Sequence, residues 1–316
     1  MEPQADANSR FVLAGFADEA GDSIEEQIEI TRELGWEWIE ARSIDGCNIH
    51  DLDEAQFSAV ARALEKASVR VCCFGSTIAN WGQSVDSDLG HTLGTARRAI
   101  ARMKALDVKL IRIMSYSIIT DEQGRPVPDQ RREMRMEKLR VLCSEILEAG
   151  LVPVHENCFN YGGMSTRHTW DLLKAIPGLR LVFDTGNPCL TPDFSKPFPW
   201  PNQDSWASWN ELKGKVVHIH VKDGWRDPAT GKEHYVFPGE GPAHVREILE
   251  DCGKMGYHGF LSIEPHMAVV YHDARVRASR EQRRQVYLEF GRRLESMLCS
   301  LGFEVKKGQA VLGGGA

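Results

Sequence analysis

The chain has 316 residues, 42% of them hydrophobic, with a formal net charge of -7 and a pI near 5.9. That charge repels phosphate backbones and argues against a nucleic-acid partner, and no stretch approaches the roughly 20 apolar residues that span a bilayer. The eight cysteines are scattered without a C-x-x-C, so reduced, buried thiols in a cytoplasmic protein are expected rather than a disulfide frame or a Cys-rich zinc site.

Met1 to Arg10 is polar, lacks the pattern of a signal peptide, and is expected to be disordered or extended. From there short apolar runs alternate with longer amphipathic segments. Val12–Phe16 reads as a strand and Ser23–Leu34 as a helix, with Asp22 or Ser23 as its cap. Strands follow at Trp36–Glu40, Val69–Phe74 and Val108–Met114, each with a helix after it, at Asp53–Ala67, Leu89–Leu106 and Arg131–Ala149. Leu151–His155 is a fifth strand with a helix at Thr166–Ala175, and Arg180–Phe183 a sixth. A Pro- and Trp-rich insertion, about 187–210, is too punctuated for one long helix. A seventh strand, Lys215–Val221, precedes a second insertion at about 224–241 and a helix at Pro242–Met255. Phe260–Ile263 is the eighth strand and Ala278–Cys299 the last helix.

Eight strand–helix units indicate a parallel sheet, and eight is the number that closes a barrel. A single (β/α)8 TIM barrel over residues 11–302 is therefore expected, with 303–316 as a C-terminal tail. A doubly wound sheet is the rival, but the first turn, Asp18-Glu19-Ala20-Gly21, lacks G-x-G-x-x-G.

Barrel chemistry sits at the C-terminal ends of the strands. Strand five ends in His155-Glu156-Asn157 and strand six in Asp184-Thr185-Gly186-Asn187. Strand seven ends in His218-Ile219-His220-Val221-Lys222-Asp223, and strand eight in Glu264-Pro265-His266. Neighbouring strands lie about 4.8 Å apart, so four consecutive ends can converge on one point. Taken singly, each of these residues reads as a cap, a turn residue or a surface ion-pair partner. Taken together, Glu156, Asp184, His220 and Glu264 would repel one another unless a cation sits between them. Three carboxylates and an imidazole suit one divalent ion, Mn²⁺, Mg²⁺, Co²⁺ or Zn²⁺, with no strong preference from ligand softness; Mn²⁺ is the first expectation.

With these motifs, and with Phe237-Pro238-Gly239-Glu240-Gly241 and Gly256-Tyr257-His258-Gly259-Phe260-Leu261-Ser262-Ile263-Glu264-Pro265, the chain resembles the sugar phosphate isomerase/epimerase family. These are xylose isomerase-like barrels, a superfamily that includes AP endonucleases of family 2, and the resemblance runs from about Phe11 to Phe290. It implies the same four metal ligands. It implies that the two glutamates also exchange a proton with substrate carbon, and that Arg226, six residues after the ligand histidine, holds the sugar. Lys222 is placed to bind or polarise a carbonyl oxygen. His155 is a rival base if the strand ends before it, and His266 and Asn187 are further candidates for contact with substrate. The implied activity is isomerisation or epimerisation of a sugar or keto-sugar through a metal-stabilised enediolate. Two departures count against a plain free-ketose epimerase. Cys158–Gly163 has no acid where ketose 3-epimerases often carry one, and Asn187 stands where many relatives have histidine. The missing acid and the aromatic insertion point to an alternative, a dehydratase or lyase that eliminates from a keto-inositol or 3-keto-glycoside. The Trp-rich insertion reads equally as a lid, an aromatic platform or a subunit interface, so a homo-oligomer is allowed. An endonuclease-like phosphodiesterase is disfavoured by the acidic charge and the absence of a basic stripe.

Overall fold

Arg10–Gly15 (β1) buries Phe11, Leu13 and Ala14 completely. Similar, nearly continuous burial runs through Trp38–Ala41 (β2), Arg70–Phe74 (β3), Leu110–Ile113 (β4), Val152–Glu156 (β5), Arg180–Asp184 (β6), Val216–Val221 (β7) and His258–Ile263 (β8). Parallel strands covered on both faces require it. The computed structural model describes residues 10–270 and 273–313. In it these strands pair in parallel in the order β2-β3-β4-β5-β6-β7-β8-β1. β1 returns beside β2, which makes the curled sheet a (β/α)8 barrel.

The outer helices are Ile24–Glu33 (α1), Glu54–Ala67 (α2), Leu89–Ala105 (α3), Arg132–Glu148 (α4), Thr166–Ala175 (α5), Ser205–Leu212 (α6), Val245–Lys254 (α7) and Arg280–Ser300 (α8). Of the two proposed caps for α1 it is Ser23 that serves, in a reciprocal box with Glu26. The first insertion holds a short helix, Asn187–Leu190, then an irregular segment, and closes with α6, capped by Asp204. The second folds into a hairpin of Asp223–Arg226 with Glu233–Val236.

The expected C-terminal tail is instead structure. Phe303–Lys306 and Gln309–Leu312 form an antiparallel hairpin, and Gln309–Val311 pairs with Arg10–Val12. Lys307 and Gly308 at its turn both have positive φ, 50° and 70°. A Cβ on Gly308 would lie 3.2 Å from Trp36, so the turn wedges against the base of the ring beside β1. The N-terminal segment expected to be disordered or extended lies, apart from Arg10, outside the described residues, as do the last three residues.

The barrel interior changes character from bottom to top. Ala14, Val154 and Val182 form an apolar floor with Trp38, Leu110 and Phe260. Two residues further along their strands come Glu40, Arg112, Glu156 and Asp184, all buried. Side chains alternate across a strand, so a position two beyond a floor residue also points inward. The same step leads from His218 to His220 and from Ser262 to Glu264.

Candidate metal centre

Four of these inward groups converge at the mouth. One donor atom from each of Glu156, Asp184, His220 and Glu264 lies within 4.8 Å of the other three, and all four residues are buried. Each is oriented by its remaining atoms. Glu156 Oε2 accepts from Arg112 Nη1 at 2.9 Å, and Glu264 Oε1 from Arg42 Nη1 at 2.7 Å. Asp184 Oδ1 accepts the backbone N–H groups of Gly186 and Asn187 at 2.8 and 2.7 Å, a turn that leads the chain away from β6. His220 Nε2 sits 3.1 Å from Glu40 Oε1.

The opposite atoms then face one another. His220 Nδ1 is 3.7 Å from Glu156 Oε1 and 4.0 Å from Glu264 Oε2. His220 Nδ1 is buried without a hydrogen bond, which buried polar atoms rarely are; Asp184 Oδ2 and Glu264 Oε2 beside it are met by the Lys222 ammonium. An orphaned ring nitrogen facing carboxylate oxygens, with a carboxylate behind the imidazole, fits a divalent cation: the carboxylate fixes the tautomer and the other ring nitrogen is left to ligate.

The charges are balanced by cations. Lys222 Nζ lies 2.9 Å from Asp184 Oδ2, 2.7 Å from Glu264 Oε2 and 3.2 Å from Asn187 Oδ1. Thr185 Oγ1 donates to the Lys222 carbonyl at 2.6 Å and accepts its N–H at 3.0 Å. Gly186 is needed for this approach, since a Cβ there would stand 2.9 Å from Lys222 Cγ. Arg42 and Arg112 both lie over the ring of Phe16, at 4.2 and 5.6 Å, and Phe16 meets His220 edge-on at 5.0 Å.

Burial pushes Glu156 and Glu264 up, but Arg112 for the first and Lys222, His266 and Arg42 for the second hold them below the usual carboxylate range. Burial raises Asp184, and Lys222 only partly offsets that. Burial pushes His220 down, yet Glu40 and Glu156 carry it up to about 10.

The other candidates fall in three places. Lys222 and Asn187 line the cavity beside the cluster, and Asn187 bridges it, its Nδ2 donating to Glu156 Oε1 at 2.9 Å. His266 lines the wall with Nδ1 2.8 Å from Glu19 Oε1 and its backbone N–H on Glu19 Oε2 at 2.8 Å. Arg226 also lines the cavity, from the hairpin of the second insertion. His155 does not join them. β5 runs on through Glu156, so His155 points outward, where Nε2 meets Ser115 Oγ and Asn160 Oδ1 at 3.1 Å each. Burial lowers it to about 4, so it is a neutral structural group and its reading as a base is corrected.

Three residues of the cluster were missed: Glu40, Arg42 and Arg112. Their signal is a charge inside an otherwise apolar barrel strand or at its end, as in Trp38-Ile39-Glu40-Ala41 and Leu110-Ile111-Arg112-Ile113. Glu40 also meets His218 Nε2 at 2.7 Å. Glu40→Gln is expected to weaken divalent-metal affinity about 10–100-fold, the usual cost of removing a carboxylate behind a ligand histidine. Competition with a fluorescent chelator would measure it, and unchanged affinity would remove Glu40 from the metal's support.

Fold and cluster together define a (β/α)8 barrel with a carboxylate–imidazole centre at the C-terminal mouth. A family model described as xylose isomerase-like TIM barrel matches residues 28–286, and the chain belongs to that family. Structures similar to it include a xylose isomerase-like TIM barrel protein from Mycobacterium smegmatis in complex with magnesium, 17% identical, with TM-score 0.67 over 94% of this chain and 99% of that one. Another is the probable 3-DHS dehydratase AsbF from Bacillus anthracis, 15% identical, with TM-score 0.64 over 90% and 98%. A third is the 3-keto-D-glucoside 4-epimerase YcjR from E. coli, 15% identical, with TM-score 0.60 over 90% and 99%. At these identities the likeness is one of fold. A comparison with curated protein sequences finds no match. Among the described residues no helix is long and apolar enough to cross a membrane.

Proposed function

We propose that the chain is a divalent-metal-dependent enzyme that moves a proton on the carbon beside a carbonyl group of a sugar or keto-sugar, isomerising or epimerising it. The observation that carries this reading is the shared aim of the two glutamates. Each gives one oxygen to an arginine and turns the other toward His220 Nδ1.

A divalent ion held by Glu156, Asp184, His220 and Glu264 would supply electrophilic stabilisation of the negative charge that develops on an oxygen as the neighbouring C–H proton leaves. Glu156 and Glu264 are kept ionised by their arginine and lysine partners, so either can take that proton and, once protonated, return it. Lys222, buried and held charged by Asp184 and Glu264, would turn an N–H to the carbonyl oxygen in place of its contact with Asn187, the longest of the three at 3.2 Å. His266, Asn187 and Arg226 line the surrounding wall, where substrate hydroxyls would meet them.

One observation favours a second reading. The cavity, about 1120 Å³, exceeds the roughly 300–1,000 Å³ of ordinary ligand sites. A substrate carrying a group at the β-position would fit, and the same proton removal could then expel that group. Incubation of the Mn²⁺-loaded protein with keto-sugars and 3-keto-glycosides in D2O separates the two. Deuterium beside the carbonyl with mass otherwise conserved is the expected result. Release of water or an aglycone would favour the lyase. No exchange with any of them would overturn the proton-transfer reading.

A further inference from the structure

The rim of the cavity is divided. The loops after β3, β5 and β6 contribute Trp81, Phe159, Phe194 and Trp200. The segments after β7, β8, β1 and β2 contribute Arg226, Glu233, Arg277, Asp22, Asp45 and Asn48. In the ring order β2-β3-β4-β5-β6-β7-β8-β1 these are opposite halves. One half can satisfy the hydroxyls of a sugar. The other is mainly aromatic and apolar, with Thr77 and Thr191 among its residues, while Tyr235 stands on the polar side.

The aromatic half is built and continuous. Phe159 meets Phe194 at 6.3 Å between ring centroids, Phe194 meets Trp200 at 5.0 Å, and Phe198 extends the row from Trp200 at 5.0 Å. Its backbone is tied down: Phe194 N–H donates to the Met164 carbonyl at 3.0 Å, and Asn202 Nδ2 to the Arg226 carbonyl at 2.6 Å. Yet Trp81 is 40% exposed, Phe159 53% and Phe198 72%, three of the largest exposed apolar side chains among the described residues. Large aromatic groups left open at the rim of a cavity that holds a reactive cluster mark a binding surface.

We propose that this half-rim is an aglycone subsite and that the substrate is a glycoside whose aglycone carries a planar aromatic ring. The inference rests on the proton-transfer reading, which puts the glycosyl unit against the polar half and the carboxylate cluster. Its aglycone then falls across the cavity, onto Phe159, Phe194 and Trp200. A second sugar could lay only its C–H face on this wall, and its hydroxyls would find there few of the polar partners that the other half supplies. An aromatic ring gains stacked or edge-to-face contacts instead.

The test is calorimetric titration of the Mn²⁺-loaded protein with phenyl β-D-glucopyranoside, methyl β-D-glucopyranoside and D-fructose. The phenyl glucoside is expected to bind at least about tenfold more tightly than the methyl glucoside, the scale of one or two added aromatic contacts. Phe159→Ala and Trp200→Ala, each with an unchanged circular dichroism spectrum, should bring phenyl affinity down to that of the methyl glucoside. Equal phenyl and methyl affinity in the wild type would overturn the subsite while leaving the sugar-directed reading in place. A phenyl preference that survives both substitutions would also overturn it. So would a wild type that self-associates and variants that do not, with the preference intact, which would make the wall a contact with a second copy. If the metal binds but none of the three sugars does, the sugar-directed reading falls and the subsite with it.

Discussion

Glu156→Gln and Glu264→Gln should each lower kcat on a proton-transfer substrate by about 10²–10⁴, the range a positioned acid–base group contributes. Glutamine keeps the volume of the side chain and an acceptor oxygen for Arg112 or Arg42, so the barrel is expected to fold and its circular dichroism to be unchanged. It removes both the negative charge and the basic site. Both residues are donors to the metal cluster, so the comparison is made at saturating Mn²⁺, with bound metal measured in the same samples. The buried arginines sharpen the effect, because each would then lack its anionic partner within the cluster. Near-wild-type turnover in either variant would mean that its carboxylate moves no proton.

Lys222→Met should destabilise the metal-free protein by about 3–5 kcal/mol, the scale for removing one partner of a buried ion pair. The ammonium lies within 2.9 Å of two carboxylates of the cluster, and all three groups are buried. Methionine keeps the apolar stem of lysine without the ammonium and leaves Asp184 and Glu264 facing each other. The loss should shrink as the pH falls, because burial already raises Asp184 above the ordinary aspartate range. A carboxyl whose folded pKa is raised stabilises the fold when protonated, and that contribution is lost as the pH rises through the raised value. A divalent ion supplies the missing positive charge, so the variant should gain more stability from Mn²⁺ than the wild type does. Denaturant titration with and without metal measures both effects. A variant as stable as wild type in EDTA would show that the lysine does not neutralise the cluster.

The parts of this molecule that could be read from the sequence were those written along a single strand or between neighbouring strands. Parallel strands buried on both faces are uninterrupted apolar runs, so their positions were visible. The four converging donors each end one of four consecutive strands, so their meeting followed from strand spacing. Arg112 pairs with Glu156 across the neighbouring strands β4 and β5, 44 residues apart, and was open to the same rule; Glu40 and Arg42, in and just after β2, meet His220 on β7 and Glu264 after β8, 180 and 222 residues away. No local pattern encodes those contacts, although a charge in an apolar strand announces that some partner exists. The place of His155 depended on where its strand ends, and the strand runs on through Glu156, which turns the imidazole away from the cluster. The C-terminal hairpin was legible in retrospect: Phe303-Glu304-Val305-Lys306 alternates apolar and polar residues, and Lys307-Gly308 is a two-residue turn with both φ values positive.

The proposed chemistry requires a cation in the cluster, and isothermal titration of the EDTA-treated protein with Mn²⁺ tests that directly. The prediction is one ion per chain, with affinity rising with pH. His220, carried up to about 10 in the metal-free protein, must lose its proton to offer Nδ1, so titrations in buffers of different ionisation enthalpy should register proton release. Asp184→Ala should abolish the binding. Absence of binding by the wild type, or unaltered binding by Asp184→Ala, would contradict the metal centre and remove the main support for the proposed chemistry.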